Sequence, residues 1–393
     1  MTKDVFILGG ARTPMTTYTG ALKDVSAIDL AAVASKAAIA RTGVQPEWFD
    51  HVVFGNVQQS SVDAHYGARH VGLKAGLPNE VPALTVNRLC GSGIQAAVSS
   101  ALHILHDDAG FVLAGGMENM TQVPHVIRGL RTGLKLGQGN MEDWLWEGLK
   151  DPYAGCAMGD TAENCAAKYG ITRQESDEYS LRSQQLAHQA WSSGIMKDEV
   201  VPVEIKTRKG MTVVDRDDHL RPETTMEVLA KLPSVFKKDG VVTAGSASGI
   251  VDGAAALVLA GEDAAKARGV KPIGRIVSWA TVGVEPKLMG MGPAPAIRKA
   301  LERAKLSLGD IDLIEINEAF APQYLACEKE LGLDRSKVNV NGGAIAIGHP
   351  LGATGARLLL TLMLELRRRG KKYGVASACI GGGQGIAMVV EAL

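Results

Sequence analysis

Two cysteines, a histidine and an asparagine stand at glycine-flanked turns of the chain. Cys90 lies in Asn87-Arg-Leu-Cys-Gly-Ser-Gly, Asn317 in Asn-Glu-Ala-Phe, His349 in Gly-His-Pro, and Cys379 in Cys-Ile-Gly-Gly-Gly-Gln-Gly. An apolar run from Val81 to Val86, broken by Pro82, enters the Cys90 turn. A helix with Ile94, Ala97, Val98, Ala101, Leu102 and Leu105 on one face leaves it. Cys90 is therefore expected beside the first free N–H groups of a helix, which would favour a thiolate and lower its pKa. The alternative for a lone cysteine is a small buried hydrophobe. His349 has no carboxylate neighbour in sequence, which suits a base that is neutral near pH 7, although a structural histidine would look the same. Cys379 opens Gly381-Gly382-Gly383, whose bared N–H groups could form an oxyanion hole. Asn317, at a strand end, could orient a water or a carbonyl. Two thiols and an imidazole exceed what a cysteine hydrolase needs. They fit one thiolate carrying an acyl group and a second acting as acid or base, which is carbon–carbon bond formation or cleavage through a thioester.

The elements that must position these residues repeat along the chain. Val5–Leu8 predicts a strand, Ala27–Arg41 a helix capped by Ser26 and ended by Gly43, and His51–Phe54 and Phe111–Ala114 further strands. The last third runs in the same order. A strand at Ile273–Val277 is followed by a helix at Pro295–Ala304, a strand at Leu313–Ile316, a long helix through Leu366, and strands at Val375–Ala378 and Ile386–Val390. Asn56 precedes Cys90 by 34 positions and Asn317 precedes His349 by 32. Two copies of a βαβαβ unit predict a pseudo-symmetric pair with largely parallel sheets, Cys90 facing His349 across the dyad. The expected division is 1–120 with 246–271 as the first half, 121–245 as an inserted loop domain over the site, and 272–393 as the second half. The insert is more charged and holds three tryptophans, and a solvated linker is the alternative.

Composition narrows the class. Lys plus Arg and Asp plus Glu number 42 each, so the basic excess of a nucleic-acid binder is missing. Forty-six glycines with few aromatics fit an α/β protein with tight turns. Five scattered cysteines without a CxxC pair argue for reduced thiols and against a disulfide framework or zinc site. No apolar run reaches the roughly 18 residues of a membrane span. The opening residues carry Asp4 and read directly into a strand, so no targeting signal is expected. The compartment expected is the cytoplasm, with the mitochondrial matrix as the alternative.

The four motifs, in this order and spacing and across essentially the whole chain, resemble the thiolases. The resemblance implies two βαβαβαββ halves in a layered α/β arrangement with a loop domain inserted from the first. It implies that Cys90 is acylated, that His349 activates it and that Cys379 exchanges the substrate α-proton. His349 and a water held by Asn317 would bind the enolate oxygen, and the N–H groups of Cys90 and Gly381 the acyl oxygen. Coenzyme A would be substrate and leaving group, with no metal or redox cofactor. Its site would include Ser248 in Gly245-Ser-Ala-Ser-Gly, where Ser246 replaces the family's usual asparagine, and Arg221 at the nucleotide end. Met158 and Met289 match pocket methionines, and Leu149, Ala157, Ala319 and Phe320 are the further lining residues expected.

Ala157 stands where acetoacetyl-CoA-specific members often carry histidine. With the motifs around Asn317 and His349 it more closely resembles the mitochondrial-type 3-ketoacyl-CoA thiolases. The expected activity is thiolysis of 3-ketoacyl-CoA and the reverse condensation of acetyl-CoA. The alternatives are a strictly biosynthetic acetyl-CoA acetyltransferase, a decarboxylating condensing enzyme, and a non-catalytic acyl-CoA-binding relative. A decarboxylating enzyme would show Cys-His-His. The family forms dimers that often pair into tetramers. Here Phe111–Ala114 is the expected edge strand, and the apolar residues between Val123 and Trp146 are the expected cover for a partner subunit. Neither nucleic acid nor membrane is expected as a partner.

Overall fold

The computed structural model describes residues 3–208 and 210–393; Lys209, in the charged middle segment, lies outside them. Apolar β-forming runs and small-residue helices alternate, and ten strands join one sheet. In chain order the principal strands are β1 (Val5–Arg12), β2 (His51–Gly55), β3 (Ala83–Val86), β4 (Phe111–Glu118), β5 (Val251–Gly261), β6 (Gly274–Gly283), β7 (Leu313–Ile316), β8 (Tyr373–Ile380) and β9 (Gln384–Ala392). Their spatial order is β7-β8-β9-β6-β1-β5-β4-β2-β3, with the two-residue strand Thr16–Thr17 added to β5. The duplication reads outward from the central β1–β6 pair. One side runs β1-β5-β4-β2-β3 and the other β6-β9-β8-β7, where Ile314 makes a parallel bridge to Val338 in the place of β3.

The expectation of largely parallel sheets does not hold. Only β2–β3, β2–β4 and β7–β8 are parallel; the other pairs on this path are antiparallel. The three-glycine turn between β8 and β9 is too short for a crossover, so it makes a hairpin. β5, eleven buried residues rich in Ala and Gly, was not among the expected strands, because β-branched and aromatic residues are sparse in it. The expected edge strand is also corrected. β4 is buried along its whole length between β5 and β2, and the outer position belongs to the half-exposed β3.

Helices make three layers around the sheet. On one outer face lie α1 (Ala27–Thr42), capped by the Ser26 side chain and ended by Gly43 in the left-handed region, and α2 (Gly67–Ala75). The central pair is α3 (Ser92–Leu105) and α8 (Leu351–Arg368), whose apolar side chains share one core with both halves of the sheet. They cross at Gly93 and Gly355, where a Cβ on either would strike the other helix's backbone. On the other outer face lie α6 (Pro293–Ala304) and α7 (Ala321–Leu331).

The middle segment contributes α4 (Met158–Tyr169), α5 (Arg173–Ser192) and a small hairpin, Val203–Thr207 with Gly210–Val214. It is not a solvated linker. Cys165, Ile171 and Tyr179 are buried in the outer core of the second half, with Tyr179 stacked on Tyr324. Fully buried Arg12 holds Asp217 through both terminal nitrogens and Glu199 through Nε, tying the segment to β1. A buried charge so matched keeps its ionised form, whereas one left unpaired would be costly.

Candidate active site

The Cys90 elbow follows from a few local hydrogen bonds. After β3, the Asn87 side-chain oxygen accepts the Leu89 N–H at 2.9 Å, and Leu89 takes the left-handed conformation at φ +46°. Ser92 accepts the Arg88 N–H and donates to the Leu89 carbonyl, closing the turn as α3 begins. A non-glycine residue at positive φ is strained, so the surroundings must hold it. Cys90 retains some surface as a residue, but its thiol is enclosed. Burial pushes that thiol up to about 11. The N–H groups of Gly381 and of Cys90 itself pull it down, and Glu118 adds a smaller upward push. The expected lowering by the helix terminus is thus outweighed by desolvation.

The hairpin turn after β8 packs onto this elbow. A Cβ on Gly91 would lie 2.6 Å from Ile380 Cδ1, and one on Gly381 would lie 3.1 Å from Leu89 and 3.4 Å from the Met158 sulfur. Cys379 is fully buried at the end of β8, and burial raises its thiol well above the ordinary range, with Cys90 the next cause. The two thiols are close enough to oppose each other's ionisation.

His349 is buried, and burial, reinforced by Arg357, lowers it to about 3. Thr354 donates its hydroxyl proton to the Pro350 carbonyl, so it accepts at 2.6 Å from His349 Nδ1–H. This assigns the free lone pair to Nε2, which the Asn317 amide faces at 3.2 Å. The Asn317 side-chain oxygen is buried without a partner, which is what a bound water would satisfy. The His349 backbone N–H donates to Gly249, joining the histidine turn to the loop that carries Ser248.

A cavity of about 230 Å³ is lined by His349 together with Leu149, Ala157, Met158, Ser248 and Phe320. Met289 and Ala319 lie buried in one apolar cluster with Cys379 and Phe320. Asn317 is fully buried and reaches the cavity only through His349. Arg221 is exposed, donates to the Asp218 and Leu220 carbonyls, and lines a second cavity of about 280 Å³ that meets the first at Ala244. Ser246 closes the loop despite replacing asparagine: its hydroxyl oxygen accepts the Thr243 N–H at 2.8 Å. A larger cavity of about 720 Å³ shares Trp146, Ala157, Val235 and Phe236 with the His349 cavity.

Thr354, Phe236 and Glu118 were not among the expected residues. The spacing of Thr354, five residues after His349, could have shown it as lying one helical turn away. Phe236 has no local signal, because only the folding of the middle segment brings it to Phe320. Taken together, the groups offer an enclosed thiol beside two N–H donors, a neutral imidazole with a free nitrogen, and a second thiol. These suffice for acyl transfer and for moving a proton at carbon.

The family model described as "Thiolase, N-terminal domain" matches residues 5–263, and "Thiolase, C-terminal domain" matches 270–392. The chain is 54% identical over 390 residues to the mitochondrial 3-ketoacyl-CoA thiolase of Homo sapiens, covering 99% of this chain and 98% of the relative. It is 49% identical over 398 residues to an acetyl-CoA acetyltransferase of Syntrophomonas wolfei, covering all of both. The crystal structure of human mitochondrial 3-ketoacyl-CoA thiolase in complex with CoA superposes with a TM-score of 0.97 at 52% identity, covering 100% of this chain and 98% of that one.

Proposed function

From the premise that this chain belongs to the thiolase family and is an acyltransferase, we propose that it cleaves 3-ketoacyl-CoA with coenzyme A and runs the reverse condensation through an acyl-Cys90 intermediate. The observation that carries the assignment is the packing of the Gly381 turn onto the Cys90 elbow, next to the buried Cys379 thiol.

In thiolysis, Cys90 attacks the 3-keto carbon and its proton passes to His349 Nε2. The N–H groups of Cys90 and Gly381 hold the oxygen as it becomes negative. Losing one such donor typically costs about 3 to 4 kcal/mol of barrier. The bond between C2 and C3 then breaks, leaving the chain on Cys90 and the departing acetyl-CoA as an enolate. The enolate oxygen is held by His349 and by a water on Asn317, and Cys379 protonates the carbon. His349 passes the proton it took from Cys90 to the Cys379 thiolate, which resets both groups. Its Nε2 then takes the proton of a second coenzyme A thiol, which carries the acyl group away, and returns that proton to the departing Cys90 thiolate. Condensation runs these steps backwards, with Cys379 as the base. No metal or redox group enters the reaction, and coenzyme A is a substrate throughout.

Ser248 and Met158 lie along the route proposed for the pantetheine, and Arg221 at the nucleotide end. The substrates proposed are medium-chain 3-ketoacyl-CoAs as well as acetoacetyl-CoA, since Ala157 leaves the junction of two cavities open. The chain is proposed to work as a homotetramer in a reducing compartment. That compartment is the cytoplasm or, as for the relatives whose names say mitochondrial, the matrix. No helix among the described residues is long and apolar enough to cross a membrane.

Incubation with acetyl-CoA followed by peptide mass spectrometry is expected to place one acetyl group on Cys90. Acetyl on Cys379 with Cys90 unmodified would overturn the assignment.

A further inference from the structure

We propose that Glu118 is a positioning residue that sets Cys90 and His349 in register with each other, bracing the elbow of one and capping the helix behind the other. The inference rests on Cys90 and His349 being the reacting pair. Glu118 ends β4, is fully buried, and lies outside the cavity lining. Its two oxygens take four donors from both halves of the molecule. One accepts from the Asn56 side chain at 3.0 Å and the Gln58 N–H at 2.9 Å. The other accepts from the Val57 N–H at 3.1 Å and the Gly352 N–H at 2.8 Å.

Two of the four donors, Val57 and Gly352 on the second oxygen, lead on to a reacting group. On the Cys90 side, the Val57 carbonyl accepts from the Asn87 amide at 3.3 Å, and the Asn87 oxygen holds Leu89 in its strained conformation immediately before Cys90. On the His349 side, Gly352 is the second residue of α8, whose N-cap is Pro350 and has no side chain able to cap. A carboxylate from the other half therefore satisfies a first-turn donor, where negative charge is also favoured by the helix dipole. Two residues further on, Thr354 accepts the His349 proton. The approach leaves no slack: a Cβ on Gly352 would lie 2.5 Å from the Met117 carbonyl and 2.8 Å from that of Gly55. The titratable groups that face Glu118 are Cys90 and Asp252, the latter taken up by the Thr121 hydroxyl and N–H.

Glu118→Gln keeps the volume but removes the charge and puts an NH2 against two N–H donors, so one oxygen's pair of donors is lost and the other's is left to a neutral, weaker acceptor. The test is single-turnover acetylation of Cys90 by acetyl-CoA, with the steady-state constants measured in parallel. The expected result is a fall in acetylation rate and kcat of at least tenfold, with KM for acetyl-CoA within twofold of wild type. Removal of the charge is also expected to move iodoacetamide alkylation of Cys90 to lower pH, while the unchanged KM separates this from a general loss of packing, which would disturb binding as well. Asn87→Ala, at an exposed position, cuts only the Cys90 side. It is expected to slow acetylation without moving the alkylation pH, and it carries the test if the glutamine variant does not fold. Acetylation within twofold of wild type in either variant overturns the proposal. So does a Glu118→Gln loss shared equally between kcat and KM, or an unmoved alkylation pH. Failure of wild-type protein to acetylate Cys90 would instead sink the assignment of the reacting pair, and it is visible without any variant.

Discussion

His349 and Cys90 are both held neutral, because burial pushes the imidazole down to about 3 and the thiol up to about 11. Proton transfer between them therefore has to accompany attack on the substrate, when the oxyanion donors begin to hold charge. The same shift affects stability. An unfolded chain protonates its histidine near the ordinary value of about 6.5, while the folded protein keeps His349 neutral, so stability is lost as pH falls from 6.5 towards 3. Within that window the contribution is about 1 kcal/mol per pH unit. Urea midpoints at pH 7 and pH 5 are expected to fall less for His349→Gln than for wild type. An equal fall would show that His349 is not held neutral. Cys379 is a second case at this scale. Cys379→Ser is expected to acetylate Cys90 normally but to condense roughly 10²- to 10⁴-fold more slowly, the usual worth of a positioned acid or base. Wild-type condensation by this variant would remove Cys379 from the reaction.

At the scale of elements, α4 and the loop from 235 to 249 shape the cavity proposed to take the substrate. Ala157 is the N-cap of α4, its N–H donates to Asp160, and its small side chain lies where the 230 Å³ and 720 Å³ cavities meet. Trp146, Val235 and Phe236 wall the same junction with apolar surface. Each acyl methylene buried there could contribute roughly 0.8 kcal/mol. Thiolysis of medium-chain 3-ketoacyl-CoA is therefore expected with a kcat/KM at least comparable to that for acetoacetyl-CoA. Ala157→His is expected to lower the longer-chain value selectively, since an imidazole would narrow the junction and cost desolvation. Wild-type activity confined to acetoacetyl-CoA would show that Ala157 merely packs against its neighbours.

At the scale of the whole molecule, two stretches of uncovered apolar surface bear on assembly. The segment from Ile127 to Trp146 exposes Leu130, Leu136, Met141 and Trp146, with Leu136 wholly in solvent. The outer strand β3 exposes Leu84, and α3 exposes Leu102 and Leu105. An unpaired strand edge and a group of exposed large side chains are features that a subunit contact would bury. Light scattering is expected to give about four times the 41.4 kDa chain mass. Removal of residues 128–140 is expected to leave a dimer held by the β3 side. A monomer in wild type would refute the assembly.

Much of the site's framework was legible because it depends on local rules. The Cys90 elbow is written in a strand, a glycine turn and a helix close together in sequence. The cap at Ser26 and the stop at Gly43 are equally local. Duplication was legible too, since Asn56 with Cys90 and Asn317 with His349 keep almost the same spacing. What the fold alone decided involves groups far apart in the chain. Burial reversed the thiol shift expected at Cys90, because desolvation by the packed fold exceeds what one helix end can give. In the first half the antiparallel pairing came from β5, an Ala- and Gly-rich run whose strand character is set by its position between β1 and β4. The role argued for Glu118 has no mark in sequence at all. Its four donors come from residues 56–58 and 352, and only the packing of β4 against the start of α8 brings them to one carboxylate.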